Sequence, residues 1–341
     1  MSRKMLFLAF LIAALTPAVH AQECYDWLNR NDILGPDPSQ YYPVSLAFDK
    51  NVNKMVMLTL SSVVDSDFFA LWYLDGDHWE KAWEGDVQTW SFAIPPCLLY
   101  YDRTIHALVW ICCYYDPFYG GGLLAFKYDF LDGFISLGEG IGSLCIYSYA
   151  YPAATFAYDT LRKKVVILGT DNCYGKRKTI GGILVEFDGQ NFNAKELEGD
   201  LGGFFGVAGY NPDTRNVVFY GLAGENDSQA STWEYDGSTW VQIQTEAQPS
   251  ISNSLIGMAY LPQYQGLLAV ETSNDSFNTW LYDSTWHELE PANPPSLSYN
   301  PVMALNPATN RIALDGWVYS PTYQNIMWEF RTYHCRPVSR P

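Results

Sequence analysis

The chain is poor in charge, and poorest in positive charge. Charged residues make up 17% of its 341 residues, and 20 Lys and Arg face 37 Asp and Glu, a formal net charge of −17. Nucleic acid and anionic membrane surfaces are held through basic patches, so this balance speaks against both as partners. Histidine is scarce, with 5 in the whole chain. There is no Cys-x-x-Cys pair, glycine-rich phosphate loop, nucleophile elbow or zinc motif, so the common metal, nucleotide and hydrolase signatures are missing. Beyond residue 21 no run is long and apolar enough to span a bilayer, which takes about 20 residues.

Aromatic residues, in contrast, are plentiful at 16%, with 25 Tyr, 18 Phe and 12 Trp, and 26 Gly and 19 Pro punctuate them. Aromatics favour strands and Gly and Pro favour turns, so the composition points to an all-β chain. The first 21 residues read as an export signal. Arg3 and Lys4 precede an apolar stretch from Met5 to Ala14, and Val19-His20-Ala21 offers small residues at the cleavage positions. Cys24 follows Gln22-Glu23, which does not suit a lipid anchor. Residues 1–21 are thus predicted to be a cleaved signal peptide and residues 22–341 a single domain. The product is secreted or periplasmic and not inserted in a membrane.

A unit of eight or nine residues recurs along the mature chain. Thr232-Trp-Glu-Tyr-Asp-Gly-Ser-Thr-Trp240 returns as Thr279-Trp-Leu-Tyr-Asp-Ser-Thr-Trp286 and as Leu71-Trp-Tyr-Leu-Asp-Gly-Asp-His-Trp79. Weaker copies run Leu184 to Phe192 and Phe126 to Phe134, and Met327-Trp-Glu-Phe330 is half a copy. Each full copy reads as strand, tight turn and a strand opened by an aromatic. A second hairpin lies upstream of each, turning at Asp49, Asp102, Asp159, Asn211, Leu261 and Asn306, at spacings of 45 to 57 residues. Four antiparallel strands repeated every fifty or so residues are the signature of a β-propeller blade.

At these residues the chain resembles the Kelch-type propellers of the galactose oxidase-like group. The resemblance rests on the repeat period and on the hairpin from Trp233 to Trp240. It departs from the group in lacking the Gly-Gly after the second strand, for which Leu168-Gly-Thr and Tyr220-Gly-Leu are the nearest remnants. Copper chemistry of the galactose oxidase kind is not implied. Of the histidines left after the signal, His78 and His287 flank repeat tryptophans, His106 lies at a short turn and His334 sits beside Cys335. No metal or cofactor is expected.

Five fourth-strand aromatics (Trp79, Phe134, Phe192, Trp240 and Trp286) stand against six upstream hairpins. Trp27 precedes Trp79 by 52 residues, one repeat. The expected fold is therefore an all-β, six-bladed β-propeller with four antiparallel strands per blade, its N-terminal strand completing the last blade. The seven cysteines lie in the mature chain, in an oxidising compartment. Ring closure brings Cys24 to Cys335, and Cys145 and Cys173 lie on one rim, so both pairs are expected to bridge. Cys97 falls opposite Cys112 across a hairpin, but the pairing among Cys97, Cys112 and Cys113 stays open.

A propeller has a face of short turns and a face of long loops. Bases cluster at the short turns: Lys50, Arg103, Arg162, Lys163, Arg215 and Arg311. The long loops carry acids, among them Asp116 and Asp171, and aromatics, among them Trp90, Tyr119, Tyr147 and Tyr174. Carboxylates accept from sugar hydroxyls and aromatic rings pack on the C–H faces of sugars. These six residues form the candidate ligand site, and catalytic residues are not assigned. The leading reading is a monomeric binding module for a glycan or protein ligand, working through the long-loop face. The alternative is a glycan-cleaving enzyme, hydrolase or lyase, using carboxylates in the central funnel.

Overall fold

The repeat folds as the spacing predicts. The computed structural model describes residues 23–61, 68–86, 92–116, 120–140, 147–148, 151–152, 154–170, 182–196, 204–223, 230–250, 254–273, 276–297, 299–319 and 323–334. Blade 1 comprises strands Tyr41–Asp49, Lys54–Ser61, Phe68–Asp75 and His78–Asp86. Blade 2 comprises Phe92–Asp102, Ala107–Asp116, Gly120–Asp129 and Gly133–Gly140. Blade 3 comprises Ala154–Asp159, Lys164–Thr170, Gly182–Phe187 and Phe192–Glu196. Blade 4 comprises Phe204–Asn211, Asn216–Ala223, Ser231–Tyr235 and Trp240–Ile243. Blade 5 comprises Ser254–Leu261, Gly266–Ser273, Ser276–Tyr282 and Trp286–Leu289. Blade 6 takes Tyr299–Asn306, Arg311–Tyr319 and Tyr323–His334 from the C-terminal end, and Glu23–Asn29 from the N-terminal end.

That borrowed strand closes the ring. It pairs antiparallel with the third strand of blade 6, from Cys24 opposite Tyr333 to Asn29 opposite Trp328. Trp27 thereby takes the fourth-strand position that Trp79 and Trp286 hold elsewhere. The chain then runs along the outer edge of blade 1, where Leu34 donates to Asp77 O and accepts from Trp79 N. An otherwise open strand edge is covered on the way back to the first strand.

The first hairpin of every blade turns in one way. Asp49, Asp102, Asp159, Asn211 and Asn306 each accept, through Oδ1, the amide of the residue two further on. The residue four places after the turn start has a positive φ in all six blades: Asn53, His106, Lys163, Arg215, Gln265 and Asn310. Asx-type side chains satisfy turn amides locally, which is why Asp and Asn recur there. Blade 5 has Leu261 at the first position and makes the turn with a short 3-10 segment, Pro262–Tyr264, instead.

Six apolar clusters hold the molecule together, one at each blade junction. Each sheet is therefore buried on both faces. Second strands read as unbroken apolar runs such as Val165-Val-Ile-Leu168, not as alternation. Side chains of the repeat add hydrogen bonds from blade to blade. Trp286 Nε1 donates to Thr232 Oγ1 at 2.8 Å and Trp27 Nε1 to Thr279 Oγ1 at 3.0 Å. Tyr235 Oη donates to Glu186 at 2.8 Å and Tyr282 Oη to Glu234 at 2.8 Å. At the short turns Asn51, Arg162, Asn211 and Gln263 each donate to the carbonyl of the positive-φ residue in the next blade.

The cysteines are placed in part. Cys97 and Cys112 face each other in register, Cα atoms 4.4 Å apart, and are bridged, leaving Cys113 free and buried. Cys24 is disulfide-bonded. Cys335, Cys145, Cys173 and the segment 1–21 lie outside the described residues. No helix among the described residues is long and apolar enough to cross a membrane.

Candidate functional site

The strand order fixes which connections share a face. First-to-second and third-to-fourth turns lie on one side of the ring, second-to-third and fourth-to-first connections on the other. Of the expected ligand residues, Trp90, Tyr119, Asp171 and Tyr174 lie outside the described residues. Two are placed by their backbone. Asp116 ends the second strand of blade 2 opposite Gly120, at a second-to-third connection. Tyr147 starts a two-residue strand, paired Tyr147 to Pro152, in the connection from blade 2 to blade 3. Both therefore belong to the same, long-loop rim. Glu84, near the end of the fourth strand of blade 1 on that same rim, is not a free carboxylate. Lys81 Nζ donates to it at 2.8 Å and Tyr41 Oη donates to its other oxygen. The hydrogen bond from Lys81 is the main reason its carboxyl sits below the ordinary value.

The short-turn side is less purely basic than the sequence suggests, because its bases meet acids. Lys164 and Lys195 both donate to Glu186 at 2.8 Å, Arg311 to Glu329 at 2.8 Å, and Lys54 pairs with Asp75 at 3.0 Å. Burial pushes the Glu186 carboxyl up, but bonds from Lys164, Lys195 and Tyr235 outweigh it and hold it below the usual value. Asp236 is held far lower by the amides of Thr239 and Ser238 and by their hydroxyls. The sequence signal for these acids was present in the Trp-Glu-Tyr-Asp motif itself. Glu186 lies between Lys164 and Lys195 of its own blade and Tyr235 of the next, Glu234 lies between Asn216 of its own blade and Tyr282 of the next, and Asp236 closes a turn.

Two clefts open on this side among the described residues. One, of about 370 Å³, lies where blades 1, 2 and 3 meet and is lined by Asn51, His106, Lys127, Phe130 and Gln190, among others. Phe130 is 61% exposed there, at the tip of the stretched turn of blade 2. The other, of about 450 Å³, lies between blades 5 and 6 and is lined by Gln263, Thr309, Asn310, Arg311, Arg331, Thr332 and Tyr333. Sequence reasoning passed over both, since turns that obey the repeat look purely structural. Among the described residues no three His, Cys, Asp or Glu side chains converge as a metal site would need.

One buried acid breaks the repeat. Asp315 stands where the second strands of other blades have Leu58, Ile111, Leu168, Tyr220 or Val270. It is fully buried, opposite Val302 and Met327 at the junction with blade 1. Asn325 Nδ2 donates to its Oδ1 at 2.8 Å, and Oδ2 has no partner among the described residues. Burial pushes its carboxyl up to about 7, against the pull of Asn325.

No protein-family model and no curated protein matches the chain. Solved structures do. A lectin from Aleuria aurantia, in complex with α-methyl-L-fucoside, is similar at 11% identity and a TM-score of 0.53, over 84% of this chain and 96% of that one. AofleA from Arthrobotrys oligospora is similar at 9% identity and 0.56, over 94% and 93%. A protein of unknown function from Bacteroides thetaiotaomicron is similar at 11% identity and 0.56, over 92% and 77%. At these identities the likeness is one of fold, that of the six-bladed β-propellers.

Proposed function

We propose that this chain is an exported, Kelch-like propeller that binds a glycan through its long-loop face. The observation that carries the reading is a division of labour within the repeat. Its recurring Thr, Glu, Tyr and Asp are engaged between blades or in turns, and its fourth-strand tryptophans pack at blade junctions. Recognition is then left to residues that differ from blade to blade, and function concentrates on such loops when a rigid scaffold bears them. Asp116 and Tyr147 stand on the long-loop rim, and Trp90, Tyr119, Asp171 and Tyr174 join them in the proposed site. Support comes also from the fold, which is shared with lectins that bind fucose. The export signal and bridges from Cys24 to Cys335 and from Cys145 to Cys173 complete the proposal.

A glycan array with the purified mature chain tests it. Retention of a neutral glycan, lost in Trp90→Ala, Tyr119→Ala or Tyr174→Ala variants that melt like the parent, is the expected result. No retention, or retention untouched by all three substitutions, rejects the site. New reducing or unsaturated ends in the retained glycan would replace binding with cleavage.

A further inference from the structure

The repeat places an Asp at the close of the third strand in five blades: Asp75, Asp129, Asp188, Asp236 and Asp283. In three of them, Asp129, Asp188 and Asp236, this carboxylate accepts amides of its own turn. Blade 6 has no such turn, because its fourth strand comes from the other end of the chain. The position is released from its structural duty, and Arg331 occupies it. The register of the two strands, Ile312 opposite Phe330, brings Arg311 alongside. Both arginines line the 450 Å³ cleft between blades 5 and 6.

The acids near this cleft are already engaged. Glu329 takes Arg311 on one oxygen at 2.8 Å and Arg30 on the other at 3.1 Å. Asp26, opposite Arg331 in the sheet, accepts from Asn293 N at 2.8 Å, Asn293 Nδ2 at 2.6 Å and Trp27 N at 2.9 Å. Arg331 Nε, in turn, is buried and has no hydrogen-bond partner among the described residues. Its guanidinium lies 5.9 Å from the ring centre of Tyr333, which is 46% exposed. Thr309, Thr332, Asn310 and Gln263 supply neutral polar groups around it.

We propose that this cleft is a second binding site, for a sugar acid, with the ligand carboxylate on Arg331 and its hydroxyls on Gln263, Thr309 and Thr332. A planar guanidinium fork matches a carboxylate. The half-exposed Tyr333 ring offers an apolar plate for the C–H face of a pyranose. The volume lies in the ordinary range of small-ligand pockets. This site is on the short-turn face and stands or falls independently of the long-loop reading.

Calorimetric titration of the mature chain with D-glucuronate, D-glucose and inorganic phosphate tests it. Glucuronate binds, glucose at the same concentration does not, and phosphate competes at least about tenfold more weakly. Arg331→Gln weakens glucuronate about tenfold or more with an unchanged melting temperature, and Tyr333→Ala weakens it severalfold. Should Arg331→Gln fail to fold, Arg331→Lys serves, because it keeps the charge and loses the fork; it too is expected to weaken binding. Absence of glucuronate binding, equal binding of glucose, equal competition by phosphate, or binding unaffected by Arg331→Gln or Arg331→Lys would each overturn the proposal.

Discussion

The junction of blades 4 and 5 and the junction of blades 6 and 1 do the same job with different chemistry. At the first, the repeat is complete. Trp286 donates to Thr232, Tyr282 to Glu234, and Asn211 to the carbonyl of Gln265. At the second the corresponding partners are lost. Met327 stands in the place of Thr232 and Leu74 in the place of Tyr282, so Trp79 Nε1 is buried with no acceptor among the described residues. Asp315 is buried in the same interface with one oxygen unpartnered. The closing junction is thus the less polar-complementary of the two, and it adjoins the blade that is finished by a strand borrowed from the opposite terminus. Ring closure by strand pairing carries what side-chain complementarity does not.

The largest effect should come from the borrowed strand. Trp27 is 1% exposed, packs edge-on against Phe330 at 5.2 Å and donates to the buried Thr279. Trp27→Ala is expected to cost about 3–5 kcal/mol in urea unfolding, the usual range for a buried large aromatic. Trp240→Ala should cost less, since Trp240 is half-buried and stacks on Trp233 at 5.5 Å. Equal losses at the two positions would deny the N-terminal strand its special part in closure.

Next comes Asp315. Its carboxyl is raised to about 7 in the fold from an ordinary 3.8, by burial. The folded state therefore holds this proton more tightly than the unfolded chain does. The destabilisation is absent below about pH 4, grows as pH rises and is complete above about pH 7. Asp315→Val, which installs the residue that blade 5 carries there, should stabilise the protein by an amount on the order of a few kcal/mol at pH 8. The gain should fade to little at pH 4. A gain that does not change with pH would mean that packing, not ionisation, sets the penalty.

These junctions also show how far the sequence speaks. The blade count, the six turn positions and the strand borrowed through Trp27 were legible, because burial on two faces recurs in every blade and an Asp or Asn recurs at the turn in all but blade 5. The bridge from Cys97 to Cys112 was one of several open pairings until the register set the two Cα atoms 4.4 Å apart. The meaning of Glu186 and Glu234 was not legible, since their partners Tyr235 and Tyr282 lie about one repeat away in the chain. Asp315 and Arg331 were missed for the opposite reason. They are departures from the repeat, and a reading built on similarity between blades passes over the positions where one blade differs.

The smallest expected effect separates the two junctions most cleanly. Trp286 and Trp79 occupy the same blade position and are 2% and 6% exposed. Replacing either by Phe removes the same indole atoms, so the packing loss should be alike. The polar consequence is not alike. Trp286→Phe leaves the fully buried hydroxyl of Thr232 without its donor, and an abandoned buried polar group costs about 1–3 kcal/mol. Trp79→Phe removes a donor that already has no acceptor among the described residues. Trp286→Phe should therefore be the more destabilising, by about 1–2 kcal/mol in urea unfolding at one pH. Adding Thr232→Val to Trp286→Phe should recover part of the loss, because removing both partners of a buried bond is milder than removing one. Single variants that match within about 0.3 kcal/mol, with no recovery in the double variant, would show that the blade-to-blade tryptophan bond contributes nothing to the junction and that packing alone holds both.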